Sequence, residues 1–125
     1  KTGEPRNLKF GTLSNGDTAT LTNITSLFFY ENGFKFDYII GCQGAGLFKP
    51  EPQFYQQVEK ISGFQKHEIL HVAGSGFDAF MAKLYGYRAA WNFGDPAQLE
   101  NLTGDPKYNP DFYLTDLTQI LQLLQ

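Results

Sequence analysis

At 125 residues and 14.1 kDa, the chain is one domain's worth of sequence, residues 1–125, large enough to bury about two-thirds of its unfolded surface. Its 42% apolar and 16% aromatic content excludes a disordered segment. A net charge of −3 leaves no basic footprint for nucleic acid and no polybasic stretch for an anionic membrane. One cysteine, Cys42, excludes an internal disulfide framework. With no apolar run near the about 20 residues that span a bilayer and no signal peptide in Lys1-Thr2-Gly3-Glu4-Pro5, the expectation is a soluble cytoplasmic domain.

In chain order, Leu8 to Leu13 carries apolar residues on both faces and reads as a strand. Ser14-Asn15-Gly16-Asp17 reads as a turn, with Asp17 as the N-cap of a helix whose core face is Leu21, Ile24, Leu27 and Phe28. Gly33 marks its stop. Phe36 to Cys42 is a second strand, rich in β-branched and aromatic residues. A loop with Gly41, Gly44 and Gly46 leads to Phe48-Lys49-Pro50-Glu51-Pro52, whose prolines favour an extended entry and then a helix start. That helix buries Phe54, Tyr55, Val58 and Ile61 and ends at Gly63.

Ile69 to Ala73 is a third strand, followed by a small-residue turn and a helix with Phe77, Phe80, Met81 and Leu84 on one side, stopping at Gly86. Tyr87 to Phe93 is a fourth strand. The stretch from Gly94 to Pro110 is a long loop with three prolines. Asp111 to Thr115 is a short edge strand, and Asp116 caps a last helix with Leu117, Ile120, Leu121 and Leu124 inward. Strands alternating with helices argue for an α/β fold, a three-layer, Rossmann-like parallel sheet with helices on both faces.

Ligands in such folds bind beyond the carboxyl ends of the strands, which directs attention to three turns. Ser14 and Asn15 lie where a strand gives way to a helix, and there side chains and backbone N–H groups can hold an anionic oxygen. Lys49 sits at a loop exit on a backbone restricted by Pro50. Ser75 and Asp78 occupy the turn after the third strand, where a carboxylate is favoured by the helix dipole in any case. Tyr55 offers a phenol to a substrate carboxylate and equally a packing surface to the core. His67 and His71 are four apart on a stretch that reads as extended, so they share no helical face. No third ligand completes a zinc site, so both read as structural. Cys42, Tyr87, Trp91 and Phe93 read as packing residues.

Leu13-Ser14-Asn15-Gly16, Phe48-Lys49-Pro50-Glu51-Pro52 with Tyr55, and Val72-Ala73-Gly74-Ser75-Gly76-Phe77-Asp78, in that order, resemble the second, third and fourth motifs of the haloacid dehalogenase superfamily, closest to the L-2-haloacid dehalogenases. The resemblance runs from about Leu8 to Trp91. It implies a hydrolase in which Ser14, Asn15 and Tyr55 bind a small anionic substrate, Lys49 steadies an Asp nucleophile, and Asp78 with Ser75 orients Lys49 and the hydrolytic water.

The family also implies that nucleophile on a first, central strand between the Leu8 and Ile69 strands, and a cap domain after it. Neither occurs in this chain. The expected core is thus incomplete, its carboxyl-terminal part only, and an N-terminal segment or a second chain should complete the sheet, with a homodimer as a further arrangement. The chain alone should be inactive. Ala73 stands where the dehalogenases usually have Ser, and Ser75 where they usually have Asn. Gly74 stands where the metal-dependent phosphatases of the superfamily carry an acid for Mg2+. The expectation is therefore a hydrolase without a metal or other cofactor, acting on a 2-haloacid. A small-molecule phosphatase using Mg2+, or a non-catalytic binding module, are the alternatives.

Overall fold

A β-strand finds its place through its partner, and among the described residues every pairing is parallel, the first and second strands and the third and fourth each connected by helix. The computed structural model describes residues 8–32, 35–42, 51–116 and 119. The chain forms two compact units, Lys1–Gly63 and Phe64–Gln125.

In the first unit, β1 (Gly11–Asp17) pairs with β2 (Tyr38–Cys42), and α1 (Thr18–Asn32) connects them. The two strand entries are tied reciprocally. The Phe10 amide donates to Asp37 Oδ2 at 2.8 Å, and the Asp37 amide donates to the Phe10 carbonyl at 2.7 Å. Gly11 allows this close approach, because a Cβ there would lie 3.2 Å from Tyr38.

The strand begins later than its apolar pattern predicts and runs through the expected Ser14–Asp17 turn. The register shows how. Leu13 faces Ile40 and Asp17 faces Cys42, so four steps of β1 match two of β2. The surplus bulges out of the ladder, a device that bends a strand without ending it, and α1 follows directly.

The rotation of α1 also departs from expectation. Ile24 is 58% and Leu27 59% exposed, while Thr25 is buried. Thr25 Oγ1 donates to the carbonyl of Leu21 at 2.8 Å and lies 3.1 Å from that of Thr22. A hydroxyl satisfied within its own helix tolerates burial, so a polar residue occupies the inward position. The Gly33 stop and the Phe28 side chain lie outside what is described.

The single helix expected after Glu51 is divided into α2 (Pro52–Tyr55) and α3 (Gln57–Ser62) at Gln56, whose φ of −66° and ψ of −14° tighten the backbone toward a 3₁₀ turn. Phe54 and Tyr55 are fully buried, Val58 is half-buried and Ile61 is exposed. Gly63, at φ 79°, closes α3 in the left-handed conformation that favours glycine.

The second unit enters through a 3₁₀ turn, Lys66–Glu68, closed by a capping box between Gln65 and Glu68. Then β3 (Leu70–Ala73), α4 (Gly76–Leu84), β4 (Arg88–Asn92) and β5 (Phe112–Leu114) form a parallel sheet in the order β3-β4-β5. Leu70 faces Arg88, Ala73 faces Trp91, and Asn92 faces Leu114. The expected edge strand is present.

The buried side of α4 is Gly76, Ala79, Phe80 and Ala82, with Phe77 and Leu84 at its margins, each 38% exposed. Small residues bring α4 close to the sheet: a Cβ on Gly76 would lie 3.1 Å from the Trp91 ring. Tyr87 and Trp91 are core residues as expected. Phe93 is not; it is 75% exposed, with a left-handed φ of 60°.

The long loop is internally bonded. Asn101 Oδ1 accepts from the amides of Thr103 and Gly104, and its amide nitrogen donates to the Asp105 carbonyl and Asn109 Oδ1. Of the expected last helix, only Gln119 is described. Among the described residues, β1 and β3 each have a strand partner on one side only, and no helix is long and apolar enough to cross a membrane.

Candidate active site

The turn after β3 is built by its helix start. Ser75 has extended backbone (φ −129°, ψ 153°) and caps α4, its Oγ accepting from the Asp78 amide at 3.1 Å. That bond satisfies one of the N–H groups a helix leaves open at its first turn. Asp78 falls in that first turn, where the helix dipole favours its charge.

Its carboxylate is also engaged. Asp78 Oδ2 lies 3.0 Å from His71 Nε2, and the two side chains are only 14% and 10% exposed. The contact follows from alternation along β3. His71 shares a sheet face with Ala73, which is buried, and α4 covers that face. A strand residue and a helix residue seven positions later thereby meet across one tight turn.

Sequence reasoning treated His71 as structural and did not pair it with Asp78. The available signal was its parity with Ala73. Leu70 and Val72 lie on the opposite face, so a polar ring at position 71 points toward the helix that Asp78 begins.

Trp91 anchors this assembly. It stands beside Ala73 in the register. Its ring lies against the Cα of Gly76 on one side and Gly94 on the other, where added Cβ atoms would approach to 3.1 Å and 2.4 Å. Gly74 is different: a Cβ there would meet nothing within 4 Å. An acidic side chain would fit at that position, and the chain has none.

In the first unit, Ser14 and Asn15 sit in the bulged end of β1, a few residues before α1 begins. Ser14 is half-buried and hydrogen-bonded or otherwise engaged; the Asn15 side chain lies outside the described residues, as do Cys42's and the whole of Lys49. Tyr55 ends α2 with its side chain about 1% exposed, a packing position. The second unit therefore brings Ser75, Asp78 and His71 together, while Ser14, Asn15 and Tyr55 belong to the first.

Comparison with known proteins bears on this arrangement. The chain is 28% identical over 101 residues to an (S)-2-haloacid dehalogenase of Pseudomonas putida, covering 81% of this chain and 44% of that protein. It is 30% identical over 88 residues to haloacetate dehalogenase H-2 of Moraxella sp. (strain B), covering 69% of this chain and 38% of that one. The chain is haloacid dehalogenase-like.

A solved L-2-haloacid dehalogenase from Xanthobacter autotrophicus superposes with a TM-score of 0.76 at 25% identity, over 94% of this chain and 55% of that one. The α/β class with parallel strands agrees with these neighbours. The chain thus spans about half the length of the proteins it matches, or less. No family model matches it.

Proposed function

We propose that this chain is the later part of the core of a haloacid dehalogenase-like hydrolase, residues 1–125 belonging to one α/β domain. In that enzyme an Asp carboxylate supplied from outside these 125 residues displaces halide from C2 of a short 2-haloacid. The halide leaves with the bonding electron pair. The resulting ester on the Asp is then hydrolysed by water, the two-step logic of nucleophilic catalysis.

Ser14 and Asn15 hold the substrate carboxylate at the start of α1, where backbone amides and dipole favour an anion. Lys49 neutralises the nucleophile and the charge that builds in the transition state. Asp78, with Ser75, orients Lys49 and the hydrolytic water. Tyr55, about 1% exposed, packs in the core. A segment bearing the nucleophile completes the sheet, whether from the same polypeptide or a second chain. Among the described residues β1 and β3 are each paired on one side only, which supports such an addition, because unpaired edges invite another strand.

The observation that carries the reading is the Ser75–Asp78–His71 cluster at the carboxyl end of β3, in a chain similar to 2-haloacid dehalogenases. The dehalogenase reading is preferred to a magnesium phosphatase because hard cations seek carboxylate oxygens. Position 74 has space for an acid and holds glycine, and Asp78 is bonded to His71.

The test is chloride release from L-2-chloropropionate by the complete protein. Release is expected in the wild type, abolished in Lys49→Ala, and absent for the 125-residue chain alone. Turnover of phosphate esters only, and only with Mg2+, would refute the dehalogenase reading. Failure on a broad panel of haloacids and phosphate esters would leave a non-catalytic binding module.

A further inference from the structure

We infer that His71 is a positioning residue: its Nε2–H holds the Asp78 carboxylate in the orientation the site requires. The inference rests on the role proposed for Asp78, but its evidence is separate. It consists of the 3.0 Å contact between Nε2 and Oδ2 and the low exposure of the two side chains, 10% for His71 and 14% for Asp78.

A carboxylate only accepts, so the imidazole nitrogen facing it is the donor. Bonds to an ionised acceptor are shorter and stronger than neutral ones. Asp78 is thus restrained from two directions. Its amide is held by Ser75 Oγ from within the helix start, and its carboxylate is held by His71 from the strand beneath. A group held at both ends keeps the narrow geometry that catalysis demands, in which a displacement of about 1 Å can cost roughly 100-fold in rate.

Packing alone does not ask for histidine here. Position 71 faces α4 beside Ala73 and opposite Ala89 in the register, both buried. An apolar side chain of similar size would satisfy such a site without burying a polar ring. A buried imidazole is retained at a cost unless its partner matters. Donation through Nε2 leaves the second ring nitrogen, Nδ1, on the far side of the ring from Asp78.

The experiment compares His71→Gln, His71→Asn and His71→Phe in the complete protein. A Gln amide nitrogen reaches where Nε2 lies, an Asn amide nitrogen only where Nδ1 lies, and Phe keeps ring volume without a donor. The expected result is a fall in kcat of roughly 10- to 100-fold for His71→Phe and His71→Asn, with KM changed less than about twofold. His71→Gln is expected to recover most of the loss.

Equal kcat for the Gln and Asn variants would overturn the inference, whether or not His71→Phe folds. So would a folded His71→Phe enzyme with kcat within about twofold of the wild type. Wild-type protein active on phosphate esters alone would sink the dehalogenase reading, while the variant ratios on that substrate would still decide His71. If the wild type turns over nothing, long-range 15N NMR reads the contact directly. A proton on Nε2 that is lost from that nitrogen in Asp78→Ala supports the contact, and a wild-type ring protonated on Nδ1 but not on Nε2 overturns it.

Discussion

Asp111 joins three elements of the second unit, and its removal should separate hydrogen-bonding from charge effects. Its Oδ2 accepts from the Ala89 amide at 2.8 Å, its own amide donates to the Ala89 carbonyl at 2.8 Å, and Lys83 Nζ lies 3.0 Å from Oδ1. Ala89 is fully buried in β4.

In Asp111→Ala the Ala89 N–H loses its acceptor in a place water does not reach. An unsatisfied buried group costs about 1–3 kcal/mol. The Lys83 pair is partly exposed, Asp111 being 31% accessible, and pairs of that kind contribute about 0–1 kcal/mol. The sum is roughly 1–4 kcal/mol. Asp111→Asn keeps an oxygen for Ala89 and loses only the charge, so it should cost under about 1 kcal/mol.

Trp91, the single tryptophan, lies in β4 and reports on this unit by fluorescence during urea unfolding. With a denaturant slope of about 1–3 kcal/mol per molar, Asp111→Ala should lower the midpoint by about 1 M, and Asp111→Asn by a small fraction of that. Equal losses in the two variants would show that charge rather than the backbone hydrogen bond is the stabilising element, and the reasoning would fail.

Other substitutions probe the turn and its anchor. Ser75→Ala should destabilise by about 1 kcal/mol through loss of the cap to Asp78, whereas Ser75→Asn, also a good cap, should stay within about 0.5 kcal/mol of wild type; equal unfolding midpoints for the two would contradict the capping role. Gly94→Ala places a Cβ against the Trp91 ring and should cost about 1–3 kcal/mol by overpacking, with a shifted Trp91 emission; an unchanged melting temperature would show that the ring yields freely. Phe93→Asn should raise stability by about 1 kcal/mol, because Asn tolerates the left-handed backbone that strains an exposed Phe. A lowered urea midpoint would indicate that the aromatic ring contributes packing that outweighs the strain.

Much of the local structure was legible because it depends on short-range chemistry. Gly63 and Gly86 end their helical segments with positive φ, a conformation other residues resist. Ser75 caps α4 by equally local chemistry, its side chain within reach of an amide three residues on, although the sequence marks it only as a site residue. The strands β2 to β5 follow from apolar and β-branched runs, and the three turn motifs identified the family resemblance before any pairing was known.

What depended on partners was not legible. Hydropathy placed Ile24 and Leu27 inward on α1, yet Thr25 holds that position because its hydroxyl is satisfied inside the helix. The overrun of β1 through Ser14–Asp17 shows only in its register against β2, where four steps of one strand match two of the other.

Sequence by itself determined the α/β class, the ends of α3 and α4 and the presence of Asp78 in the first turn of α4, since each of these is decided within a few neighbouring residues. Tertiary structure decided which way α1 turns, how β1 ends, and where the Asp78 carboxylate points. That last orientation comes from His71, seven residues away and across a turn. Only the folding of helix onto strand puts the two side chains in reach of each other.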